Sequence, residues 1–195
     1  MTLAIVLVVA YLLGSLPTSY VVVHRLTGRD IRALGSGNPG TMNVLDSVGS
    51  RAALIVGGTD IAKGAAAVGV AYLAGVGDVG AVAAGFAAVA GHDFSLFLRF
   101  HGGNGTAPAT GALYALAPLA GLIATTGAVG VYLLLRSRRP AGMAGLLVFA
   151  PLAYALDEPN ARVAGAVLLV VVTGMKIGLA EGFSLARPSH GSRAP

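Results

Sequence analysis

The chain has 195 residues, 55% hydrophobic and only 11% charged, with a formal net charge of +5 and a mean hydropathy of +0.79. A soluble domain carries about 25% charged residues, so a soluble globular enzyme is excluded and an integral membrane protein is expected. There is no cysteine, which excludes disulfides and thiolate chemistry, and the basic balance reads as charge at a membrane face, with no nucleic-acid partner expected.

From the N-terminus, Leu3 to Val23 is 21 residues without a charge. That length suffices to cross a bilayer, and with no basic leader before it the stretch reads as a span rather than a cleaved signal. Gly14 and Pro17 are its expected kink points. A basic run (Arg25, Arg29, Arg32) leads into the loop GSGNPGTMNV, residues 35–44. Spans are then expected at 52–75 and 79–92, the first interrupted by the polar segment DIAKG (60–64). A second glycine-rich stretch follows, GHDFSLFLRFHGGNG (91–105). As one helix, 106–135 would be about 45 Å long, so two short helices hinged near Pro118 are expected. Further spans fall at 141–156 and 161–177. With the first at 2–24, the chain is read as an all-α polytopic bundle of about seven short helices, six being the alternative. A single domain covers 1–180. A polar, disordered tail is expected over 181–195.

The positive-inside rule places Arg25–Arg51, Arg99, Arg136–Arg139 and Lys176–Arg193 in the cytoplasm. The N-terminus is then outside and the C-terminus inside. Arg162 is the one misfit.

Both glycine-rich loops fall on the cytoplasmic side. Glycine lets backbone N–H groups turn towards an anion, so 35–43 and Gly102, Gly103 and Gly105 read as two phosphate-binding nests; the alternative is a pair of plain turns. Asp60 and Lys63 share a helix face. Charges inside a span are costly, so they form either a structural ion pair or a site with Lys63 near an anionic substrate. His92 ends a span beside the second loop, as an anchor or a base. Phe94, Phe97 and Phe100, three apart, suggest an interfacial helix face. No metal-ligand spacing is found.

Four segments together, YLLGSLPTSY (11–20), GRDIRALGSGNPGTMNV (28–44), DIAKG and GHDFSLFLRFHGGNG, resemble the bacterial acyl-phosphate:glycerol-3-phosphate acyltransferases. The resemblance implies transfer of an acyl chain from acyl phosphate to the sn-1 hydroxyl of glycerol 3-phosphate. Lysophosphatidic acid is formed in the inner membrane, with the site facing the cytoplasm and no metal or cofactor. It implies catalytic roles for His92, Ser36 and Asn43. It implies phosphate binding by Gly37, Asn38, Gly40, Thr41, Lys63, Ser95, Gly102, Gly103, Asn104 and Gly105, with Asp60 as the ion-pair partner.

The family usually has threonine and arginine where this chain has Met42 and Asp46, and lysines where it has His101 and Asn104. Its C-terminal motif is reduced here to Lys176 and Glu181. A non-catalytic or substrate-shifted member that binds lipid phosphates is therefore the alternative. A small transporter is a third reading, supported by the charges of DIAKG.

Overall fold

In a computed structural model of the chain, residues 2–136 and 138–185 are described. The expected disordered tail beyond 185 lies outside them.

The apolar runs form helices in the expected order. The first run is α1 (Thr2–Ser15) and α2 (Thr18–Thr27), followed by α3 (Thr41–Ser47) and α4 (Ser50–Leu73). Then come α5 (Gly77–Asp93), α6 (Thr106–Leu116), α7 (Pro118–Leu135), α8 (Arg138–Ala155) and α9 (Asn160–Leu185). No strand occurs among the described residues. Among the described residues, four stretches are long and apolar enough to cross a membrane: Thr2–Thr27, Ser50–Leu73, Gly77–Leu98 and Pro118–Leu135.

Proline sets two of the breaks. Pro17 has no N–H to give to Leu13, so the first span divides into two helices rather than bending as one. Gly14, the other expected kink point, serves packing instead, as described below. At the hinge expected near Pro118, Ala117 takes φ −146° and ψ 82° and Pro118 opens α7. The residue before a proline is pushed out of the helical region, and the fixed φ of proline suits a first helical turn.

The packing is that of helices in lipid. Leu54, Leu73 and Leu134 are 77%, 90% and 83% exposed, while Ala67, Ala71, Ala84 and Ala88 are fully buried. Bulky side chains face outward and small ones face each other, so backbones approach closely. α4 packs on α6 through reciprocal glycines. A Cβ on Gly64 would overlap the Pro108 carbonyl, and one on Gly111 the Ile61 carbonyl. α1 packs on α5 the same way, Gly14 against Ala88 and Gly91 against Tyr11. These two helix pairs carry the residues of the site.

The aromatic triplet is not on an α-helix. Leu96–Leu98 is a single 3-10 turn, whose period is three residues. Phe94, Phe97 and Phe100 are 57%, 54% and 58% exposed.

Candidate functional site

The break at Pro17 creates the site. Ending α1 there strips the last carbonyls of their helical partners, and an apolar medium supplies no replacement. One side chain from α4 and one from the turn after α5 provide them. Lys63 Nζ, midway along α4, donates to Leu16 O at 3.2 Å. Ser95 Oγ, just past α5, donates to Ser15 O at 2.6 Å. On the far side of the break, Ser19 Oγ donates to Pro39 O at 2.8 Å and so draws the first glycine-rich loop over the gap.

The resulting cleft is small, and its lining includes Thr18, Asp60, Lys63, His92, Ser95 and Gly103. Lys63 Nζ lies 2.9 Å from Asp60 Oδ1, both side chains nearly inaccessible. His92 Nδ1 stands 3.9 Å from the same oxygen, beyond hydrogen-bond reach. The arrangement pairs a buried cation with an imidazole over a small polar floor. It is suited to holding an anionic group beside a proton acceptor.

The first loop is organised from inside by Asn43. Its Nδ2 donates to the carbonyls of Asn38 at 2.9 Å, Leu34 at 3.0 Å and Ile31 at 3.3 Å. Its Oδ1 accepts from Ser36 N at 3.0 Å and from Ser47 Oγ at 3.2 Å. The side chain is 6% exposed and its partners run from Ile31 to Ser47, so it ties the loop to the segments on either side. Gly37 takes φ +75°, a conformation open to glycine. Its N–H donates to Leu34 O at 2.9 Å. Ser36 is exposed on the rim, with Asn38 N donating to its Oγ at 3.4 Å. Gly40 leads into α3, and Thr41 opens it with its methyl against Gly57.

The second loop folds back on the end of α5. Gly102 N donates to Asp93 O at 3.0 Å and Gly103 N to His92 O at 3.1 Å. Those N–H groups close the turn after α5, as Gly37 N and Ser36 N close the first loop. The small size of Gly102 and Gly103 serves close approach. A Cβ on Gly102 would enter the His92 carbonyl, and one on Gly103 would enter the His92 ring. Gly105, at φ +71°, turns the chain into α6, and Asn104 lies half-buried beside it.

His92, Lys63, Asp60, Ser95 and Gly103 therefore meet in one cleft, with the 35–43 loop as its cover through Pro39. Ser36 and Asn43 belong to that cover and not to the cleft lining. Two further contributors stand outside the expected site residues. Arg32 joins the two loops, donating from Nη1 to Leu98 O at 3.3 Å while its Nη2 pairs with Asp30 Oδ2 at 2.6 Å. That guanidinium holds the Asp30 carboxyl below the usual carboxylate range. Lys176, from α9, donates to Gly103 O at 2.8 Å and pairs with Asp93 Oδ2 at 2.7 Å. Its sequence signals were its place in the reduced C-terminal motif and its being a cation in a long apolar run.

Comparison with known proteins follows the same lines. The family described as Glycerol-3-phosphate acyltransferase matches residues 4–178. Glycerol-3-phosphate acyltransferase 1 of Dehalococcoides mccartyi is 47% identical over 117 residues, covering 60% of this chain and 56% of that one. Glycerol-3-phosphate acyltransferase 2 of Moorella thermoacetica is 50% identical over 114 residues, 58% of each chain. These two matches span a little over half of the relatives' lengths. The Thermus thermophilus glycerol-3-phosphate acyltransferase is 41% identical over 168 residues, 85% of this chain and 83% of its own. Among solved structures, the integral membrane glycerol 3-phosphate acyltransferase PlsY, in its glycerol 3-phosphate form, has a TM-score of 0.82 at 25% identity, covering 98% of this chain and 97% of that one. From the sequence match across residues 4–178, the 41% identity over 168 residues and the shared fold, the chain belongs to the glycerol-3-phosphate acyltransferase family.

Proposed function

We propose that the protein is an acyltransferase of the bacterial inner membrane. It moves a fatty acyl group from acyl phosphate to the sn-1 hydroxyl of glycerol 3-phosphate, releasing lysophosphatidic acid and inorganic phosphate on the cytoplasmic side. The observation that carries this reading is the convergence of Lys63, His92 and Ser95 at the α1–α2 break, under the 35–43 loop, in a chain of this family. The basic residues Arg25, Arg29, Arg32 and Arg51 support the cytoplasmic orientation.

In this reading the glycerol hydroxyl oxygen attacks the acyl carbonyl carbon. The new ester C–O bond forms, the bond from that carbon to the phosphate oxygen breaks, and the phosphate leaves with the electron pair. His92 accepts the hydroxyl proton. Lys63 stabilises charge on the phosphate side, and Ser36 with the rim of the first loop holds the second phosphate. Acyl tails and membrane lipids meet the apolar outer faces of the helices. Holding both reactants in line is the larger part of such catalysis.

The test is phosphate release by the purified protein given an acyl phosphate, with and without glycerol 3-phosphate. Acceptor-dependent release with lysophosphatidic acid as product is expected. Release that ignores the acceptor, or none from folded protein, refutes the reading. A non-catalytic lipid-phosphate binder is favoured by one observation: Asp46 and Asn104 stand where the family usually carries an arginine and a lysine. It predicts glycerol 3-phosphate binding by calorimetry without turnover.

A further inference from the structure

We infer that Lys176 is a positioning residue, a latch by which the C-terminal helix α9 fixes the turn that abuts His92. Its Nζ bridges two points of that turn, Asp93 Oδ2 at 2.7 Å and Gly103 O at 2.8 Å. The Phe94 ring lies 5.3 Å from the same ammonium, close enough for a cation–π contact. A cation that only neutralised Asp93 would not need the Gly103 carbonyl.

Gly103 is the residue whose position matters. Its N–H donates to His92 O, and its Cα faces the imidazole so closely that a Cβ has no room. Lateral movement of residue 103 therefore presses on the His92 ring or releases it. The backbone closes the turn from one side, through Gly102 to Asp93 O and Gly103 to His92 O. Lys176 closes it from the other, reaching across from a helix more than seventy residues away in sequence. The Lys176 and Asp93 side chains are 32% and 9% exposed, so the latch sits at the edge of the packed interior. Water competes there only in part, and a charge-assisted bond keeps most of its strength.

The effect on turnover rests on the proposed acyltransfer; the latch itself does not. The experiment compares Lys176→Met, Lys176→Arg and the double variant Lys176→Met/Asp93→Asn in detergent. It reads amide hydrogen exchange at Gly102 and Gly103 together with kcat and KM. Lys176→Met is expected to speed exchange at those amides and to lower kcat, each about ten- to hundredfold, as for loss of one charge-assisted bond. KM should move less than about threefold, the mark of a group that does not bind substrate. Lys176→Arg should keep both readouts near those of the parent. The double variant, which leaves no unpaired carboxylate, should fold and melt like the parent yet remain slow.

Unchanged exchange in Lys176→Met overturns the latch. Recovery of kcat in the double variant reduces Lys176 to a neutralising charge, and a raised KM with intact kcat makes it a substrate ligand. Either result overturns positioning. A parent protein that turns over no substrate refutes the acyltransfer reading, and the exchange data then decide the latch alone.

Discussion

Arg162 Nε donates to Asp78 Oδ1 at 2.6 Å, and with this bond the one basic residue that conflicted with the charge pattern acquires a structural reason. Its Nη1 also pairs with Glu158 Oε2 at 3.0 Å, and Tyr72 OH donates to the same Asp78 oxygen at 3.1 Å. α4, α5 and α9 are thereby joined at the end of the bundle away from the cleft. Asp78–Arg162 and Asp93–Lys176 tie α5 to α9 at both ends. The partners are spaced fifteen residues apart on α5 and fourteen on α9, about 21–23 Å at 1.5 Å per residue, so the two helices run parallel.

Arg162→Met should lower stability by about 1–3 kcal/mol, since two part-buried carboxylates lose a charge-assisted partner. Substrate binding should be untouched, the cleft being at the other end. Thermal unfolding in detergent checks the first expectation. A melting curve identical to the parent's would make the network ornamental.

Lys63→Ala is not a clean probe of substrate affinity. Asp60 is 1% exposed and would be left uncompensated, at a cost of about 3–5 kcal/mol. The double variant Lys63→Met/Asp60→Asn should recover most of that stability. If Lys63 also serves the anionic substrate, the double variant stays inactive although folded. Restored activity would assign Lys63 to structure alone.

The α4–α6 contact gives an internally controlled pair. Gly64→Ala drives a methyl into the Pro108 carbonyl and should destabilise by about 1–3 kcal/mol. Gly69→Ala, on the same helix but facing open space, should be neutral or stabilising by up to about 1 kcal/mol. Equal effects at the two positions would contradict the close approach of these helices.

Asn43→Ala removes a side chain that joins five points between Ile31 and Ser47, in and around the first loop. Proteolysis or hydrogen exchange at residues 34–43 should rise sharply while the far end of the bundle stays protected. Asn43→Asp keeps the acceptor for Ser36 but loses both amide hydrogens, so it should rescue little. Full function in Asn43→Ala would show that the loop does not depend on this side chain.

The two glycine-rich loops show how far local signals reach. Both look alike in sequence, rich in glycine with scattered polar residues. In the first, Gly37 takes the positive φ such a loop invites. In the second, Gly102 and Gly103 are glycines because the His92 carbonyl and ring leave no space, a constraint imposed by a distant turn of chain and invisible in composition. Asn43 reads as one more polar loop residue until its five partners are seen.

What the sequence by itself determined is what depends on local chemistry along the chain. Charge-free runs of sufficient length make helices in an apolar medium, because backbone groups there must pair within the segment. Pro17 and Pro118 mark breaks through their missing N–H and fixed φ. Asp60 and Lys63, three apart on one face, were bound to meet. The tertiary structure alone decided which helices approach closely and which distant groups come together. Ser95 on Ser15, Lys63 on Leu16, Arg162 on Asp78 and Lys176 on Gly103 each follow from how the helices pack. In an apolar bundle, nearly every small residue suits some close contact, so the pattern of alanines and glycines permits many packings. In the packing adopted, the carbonyls of Ser15, Leu16 and Gly103 and the Asp78 carboxylate find partners on distant elements.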